Sequence, residues 1–107
     1  MGRISDPLVR KFAARYLRRL RRRYRPELVL VFGSRAKGEA LKESDLDLLV
    51  VSEVFRGVPF LKRSSLLLDD LDFPFPVDLL CYTPEEFSRK RREHGIVESA
   101  MSQGLRL

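Results

Sequence analysis

A glycine-serine turn and three aspartates are the residues of this chain whose types and spacing could do chemistry. Gly33-Ser34 directly follows the apolar run Leu28 to Phe32, and ten residues, Arg35 through Ser44, separate Ser34 from Asp45. A turn that passes from a strand into a helix start exposes backbone N–H groups; Gly33 has no Cβ to block approach and Ser34 adds a hydroxyl. Such a donor-rich site suits a phosphate. Asp45 and Asp47 stand two positions apart at the head of the next apolar run and so project from one face of an extended segment, where they can chelate a hard divalent cation. Asp78 is the only charge in the apolar run Phe75 to Tyr82. A lone carboxylate inside a core-type strand costs several kcal/mol unless compensated, and a cation held by Asp45 and Asp47 would compensate it. Mg²⁺ takes oxygen ligands octahedrally and uses one or two carboxylates plus substrate phosphates, which suits three aspartates sharing two ions with a nucleoside triphosphate.

The elements that must position these groups follow from periodicity and punctuation. Asp6 reads as an N-cap with Pro7 at the first helical position, and Leu8, Phe12, Tyr16, Leu20 and Tyr24 recur at helical spacing until Pro26, predicting one long first helix. Leu28 to Phe32 reads as a strand, Ser34 to Lys37 as a single helical turn, and Leu46 to Ser52 as a second strand. Glu53 to Pro59 reads as a loop, with an amphipathic helix following through Leu61, Leu67, Leu68 and Leu71. After a tight turn at Asp72 to Pro76 comes a third strand. Thr83, Pro84 and Glu86 spell a capping box for the next helix, and Gly95 separates that helix from a last one at Ile96 to Gln103. Strands alternating with helices predict an α/β (α+β) chain with a small mixed sheet packed by helices, the carboxylates gathering where the three strands meet.

Gly33-Ser34, ten intervening residues, Asp45-Leu46-Asp47 and then Asp78 on a later strand resemble the nucleotidyltransferase fold of the DNA polymerase β superfamily, and within it the minimal nucleotidyltransferases. The likeness runs from the leading helix to the helix after Asp78. It implies that Gly33 and Ser34 hold the phosphates of an incoming nucleoside triphosphate, ATP for preference. It further implies that Asp45, Asp47 and Asp78 are catalytic and bind two Mg²⁺ ions, with Mn²⁺ as a substitute. Asp78 would accept the proton of the attacking hydroxyl. Arg35 and Lys37 would either neutralise the leaving group or face solvent, and Glu39 is a weaker candidate. Members of this group are often paired with a helical HEPN-domain protein, some pairs acting as toxin and antitoxin. The resemblance therefore implies an antitoxin-like adenylyltransferase that transfers AMP to such a partner.

Length and composition narrow the alternatives. The 107 residues suit one domain over 1–107, with no room for a second substrate-binding domain. No apolar run approaches the roughly 20 residues of a membrane helix, and Met1 to Pro7 lacks a signal-peptide core, so a cytoplasmic protein without membrane attachment is expected. The single cysteine, Cys81, excludes an internal disulfide and reads as a small buried hydrophobe; the single histidine, His94, reads as an exposed helix-end residue. The net charge is +6, and residues 1–26 hold ten of the twenty-one Lys and Arg against one acid, Asp6. Lys11, Arg15, Arg18, Arg22 and Arg25 fall opposite the apolar stripe, as a solvated face, a nucleic-acid footprint or a dock for an acidic partner. Two further readings stay open, a catalytically silent module that occludes a HEPN partner and a small nucleic-acid-binding adaptor. Phe55, Phe73 and Phe75 are expected to leave apolar surface for a partner.

Overall fold

In the computed structural model, which describes residues 5–38 and 45–107, the first helix opens as its sequence dictates. Asp6 Oδ1 accepts the backbone N–H groups of Leu8 and Val9 at 2.9 and 3.1 Å, and Pro7 takes the first helical position, where its missing N–H costs nothing. The expected single helix is in fact two, α1 (Pro7–Arg15) and α2 (Leu17–Tyr24), divided at Tyr16. The break falls where Tyr16 packs edge-on against Phe73, with ring centroids 4.6 Å apart, and it lets Phe12, Leu20 and Tyr24 all reach the core. Arg25 ends α2 in a left-handed conformation (φ 43°), one residue before Pro26.

Four strands form a mixed sheet in the order β3-β2-β1-β4. β1 (Leu28–Phe32) and β2 (Leu46–Val51) pair antiparallel, while β2 and β3 (Val77–Tyr82) pair parallel through a crossover. The crossover carries a 3₁₀ turn at Glu53–Phe55 and the helix α4 (Phe60–Leu71). After β1 comes the four-residue α3 (Ser34–Lys37). The C-terminal part adds α5 (Pro84–Arg91), α6 (Ile96–Gln103) and a two-residue edge strand β4 (Leu105–Arg106), which sequence periodicity is too short to reveal. The capping box is present: Thr83 Oγ1 accepts from Glu86 N, and Glu86 Oε1 accepts from Thr83 N.

Alternation along the strands sorts the core into two faces. Val29, Val31, Leu46, Leu48, Val50 and Cys81 face α1, α2 and α4, whereas Leu28, Leu30, Leu49, Val51 and Tyr82 face Val97 and Ala100 of α6 and Phe87 of α5. Two expectations change. Phe55 is 1% exposed and stacks on Tyr24, and Phe73 and Phe75 close an aromatic cluster with Phe12 and Tyr16, because the 3₁₀ turn and the 72–76 turn fold inward. The exposed apolar side chains are instead Val54, Phe60, Leu61, Leu66, Ile96 and Leu105.

One buried charge ties the crossover to α5. Arg63 donates to the carbonyls of Val58 (2.9 Å) and Cys81 (3.1 Å) and to both carboxylate oxygens of Glu86. Burial pushes the Cys81 thiol up to about 12, as befits a buried hydrophobe, and His94 stands exposed beside Glu98. Among the described residues no helix is long and apolar enough to cross a membrane.

Candidate active site

Register places the carboxylates. Phe32 of β1 pairs with Asp47 of β2, and Asp47 pairs with Asp78 of β3, so the three form one row across the sheet. All three lie on the face that packs α5 and α6; α6 reaches Phe32 on β1, whereas Asp78 stands on the outer strand β3. Asp78 is therefore exposed, which corrects the reading of it as a lone buried carboxylate: β3 is an edge strand that becomes buried only at Cys81 and Tyr82. Asp47 is half-buried and Asp45, just before β2, is exposed.

The electrostatics of this row are those of a site short of positive charge. Burial first, then the negative charges of Asp78 and Asp45 and a hydrogen bond shared with Asp78, raise the Asp47 carboxyl above its ordinary value of 3.8. A cation would relieve what raises it. The donors are hard oxygens, the set a divalent ion such as Mg²⁺ selects. Among the described residues no group of three or more His, Cys, Asp or Glu could hold a metal ion unaided. What fits is the adjacent pair Asp47–Asp78 with Asp45 nearby, leaving the other ligand positions to water and substrate phosphate.

Gly33 closes the site from the β1 side. Its backbone, φ 73° and ψ −157°, lies in a region essentially reserved for glycine, and a Cβ there would run into Asp47 Oδ2 and lie 3.2 Å from Cγ. The turn therefore touches the carboxylate row directly. Ser34 begins α3, whose opening N–H groups have no partner within the helix, and Gly38 ends it with φ 75°. Arg35 does not face solvent. It is 7% exposed, and its Nη1 donates to both oxygens of Asp6 at 3.0 Å, so the α1 cap also anchors the site's short helix. Lys37 is exposed and borders a niche of about 90 Å³ beside Gly33. Ser99, Ala100 and Gln103 of α6 form the niche's far wall, and the sequence reading missed them; only their shared helical face could have suggested it. A larger cleft of about 540 Å³ follows β3 past Asp78, floored by Phe60, Leu80 and Tyr82 and rimmed by Arg89 and Lys90. Glu39 lies outside the described residues.

A strand-turn-helix segment apposed to an aspartate pair on a mixed sheet is the arrangement expected of the nucleotidyltransferase class. The family model for the nucleotidyltransferase domain matches residues 13–105, and the chain belongs to that family. It is 46% identical over 63 residues to the probable protein adenylyltransferase MntA of Haemophilus influenzae, an alignment covering 55% of this chain and 54% of that protein. The chain thus spans about half the length of the curated relative it matches. Among solved structures, a candidate nucleotidyltransferase from Sulfolobus solfataricus superposes with a TM-score of 0.59 at 25% identity, over 83% of this chain and 84% of that one. BolA1 from Arabidopsis thaliana superposes with a TM-score of 0.53 at 23% identity, over 69% and 93%, a likeness of fold alone. The chemistry the family is named for is nucleotidyl transfer.

Proposed function

We propose that this chain is a Mg²⁺-dependent adenylyltransferase that moves AMP from ATP to a hydroxyl on a helical partner protein of the HEPN type, as the antitoxin of a toxin-antitoxin pair. The observation that carries the reading is the Asp47–Asp78 register pair with Gly33 packed against it. Asp47 and Asp78 would hold the metal, with Asp45 near enough to join them as substrate and water complete the shell; when bound, the ion would supply charge neutralisation for the phosphates. The Gly33-Ser34 turn holds the β and γ phosphates through backbone N–H groups and the Ser34 hydroxyl. Lys37, at the rim of that turn, is placed to offset leaving-group charge, whereas Arg35 acts by fixing the turn through Asp6. The acceptor oxygen attacks the α phosphorus in line, its proton passes to Asp78, and the bond to the β phosphate breaks to release pyrophosphate. The exposure of Asp78 favours this role, since the proton it takes can pass to solvent.

The adenylyl and protein-acceptor parts of this reading draw on the likeness to the Haemophilus influenzae protein, named as a protein adenylyltransferase. The cleft along β3, with the apolar Phe60, Leu80 and Tyr82 beside Glu86, Arg89, Lys90 and Glu93, has the mixed character that suits a protein acceptor. Mass spectrometry of the chain co-expressed with its partner tests the proposal. An added adenylyl group on the partner, absent with Asp45→Asn/Asp47→Asn, is expected; AMP transfer to free RNA with no protein complex would overturn the protein-acceptor part.

A further inference from the structure

We infer that the outer face of α1 and α2 is a second, non-catalytic surface that binds the phosphate backbone of duplex DNA. Leu20 and Tyr24 turn the inner side of α2 into the core, which leaves Arg18, Arg19, Arg21, Arg22 and Arg23 around the outside, continued by Arg15 before the helix and Arg25 after it. Two of these are engaged within the chain: Arg19 donates to the Leu71 carbonyl and Arg23 pairs with Asp70. Arg15, Arg18, Arg21, Arg22 and Arg25 are exposed and, among the described residues, their guanidinium groups have neither a carboxylate nor a hydrogen-bond partner. Uncompensated like charge at this density costs stability through self-repulsion, which an anionic ligand would remove.

This ligand is not the nucleotide of the catalytic site. α1 and α2 pack on the sheet face opposite the one that bears Asp47 and Asp78. The chemistry of the face then selects the occupant. Protein interfaces take up arginine but set it among aromatic and apolar side chains at their centre, and membrane-surface helices need an apolar wedge; none of the exposed large apolar side chains is on α1 or α2. Single-stranded nucleic acid calls for exposed stacking rings, which are equally missing here. The cations are almost all arginine, whose planar fork fits a phosphate bidentately. Arg18 and Arg22 lie four residues apart, about 6 Å along the axis, and the row from Arg15 to Arg25 covers about 15 Å. The B-form major groove admits an exposed helix ridge, whereas that of duplex RNA is too deep and narrow.

The test is fluorescence anisotropy of a labelled 20-base-pair DNA duplex with the full chain across NaCl concentrations. With about four phosphates neutralised, affinity should fall roughly 150-fold between 50 and 200 mM salt. Arg18→Gln/Arg22→Gln should weaken binding at 50 mM and cut that fall to roughly 12-fold, with unchanged nucleotidyl transfer and a thermal midpoint at or above the parent's, since like charge is removed. Arg91→Gln/Arg92→Gln on the other side of the molecule should leave the salt response as it was. The inference is overturned by no duplex binding at 50 mM, or by equal losses in both double variants, which would mean bulk charge alone. Tighter binding to duplex RNA, or to phosphatidylcholine vesicles containing phosphatidylserine, would also overturn it.

Discussion

Replacing Gly33 by alanine probes the contact on which the candidate site is built. Two separate penalties act there. The backbone conformation, φ 73° and ψ −157°, costs a residue with a Cβ about 1–3 kcal/mol. The new methyl group also falls on Asp47 Oδ2 and 3.2 Å from its Cγ, and forcing a packed side chain aside costs about 1–3 kcal/mol more. The sum, roughly 2–6 kcal/mol, corresponds to a thermal midpoint lowered by roughly 9–27 °C for a domain of this size. Gly38→Ala is the internal reference. Its φ is also positive, 75°, but a Cβ there meets nothing within 4 Å, so it should cost only about 1–2 kcal/mol and keep its activity. Differential scanning calorimetry of Gly33→Ala, Gly38→Ala and Gly33→Ala/Asp47→Ala separates the contributions. The double variant should recover the collision but not the backbone strain, a coupling of about 1–3 kcal/mol between the two positions. Equal midpoints for Gly33→Ala and Gly38→Ala, or no recovery on trimming Asp47, would refute the apposition of turn and carboxylate.

Asp78→Asn removes one of the charges that raise Asp47, so it should raise the metal-free thermal midpoint and flatten the stabilisation by Mg²⁺ expected of the parent; an unchanged metal response would remove Asp78 from the ligand set. The Arg63 guanidinium, outweighing burial and helped by the Thr83 N–H, holds the Glu86 carboxyl at about 2 against its ordinary 4.5. A carboxyl depressed on folding stabilises above pH 4.5 and loses that contribution as pH falls toward 2, so on the order of 2 kcal/mol should disappear over this window. Urea titrations should show that Glu86→Gln has lost this pH dependence. Arg63→Ala strands the Cys81 and Val58 carbonyls together with Glu86 and should cost about 2–4 kcal/mol, read in the same titrations.

The parts legible in the sequence were those written in local punctuation. Asp6-Pro7, Gly33-Ser34 and Thr83-Pro84-Glu86 each mark a helix start within a few residues, and α1, α3 and α5 begin where they indicate. The alternation of β2 likewise puts Asp47 on the face opposite Leu46, Leu48 and Val50. Long-range facts were not legible. Nothing local says that β3 is an edge strand, so the apolar run around Asp78 suggested burial where there is exposure. The destination of Arg35 depends on Asp6, 29 residues away, and Phe55 goes inward only because α2 brings Tyr24 above it. β4 exists because β1 offers a free edge, a tertiary circumstance that two residues cannot announce.

The central claim is that the Gly33 turn and the aspartate row perform metal-dependent transfer of AMP. Incubation of the purified chain and its partner with ATP labelled at the α phosphate measures it directly. The account predicts label on the partner only when Mg²⁺ or Mn²⁺ is present, and none with Asp45→Asn/Asp47→Asn, whose fold survives because the exchange lessens carboxylate repulsion. Undiminished labelling by that double variant, or labelling that persists in excess chelator, would contradict it.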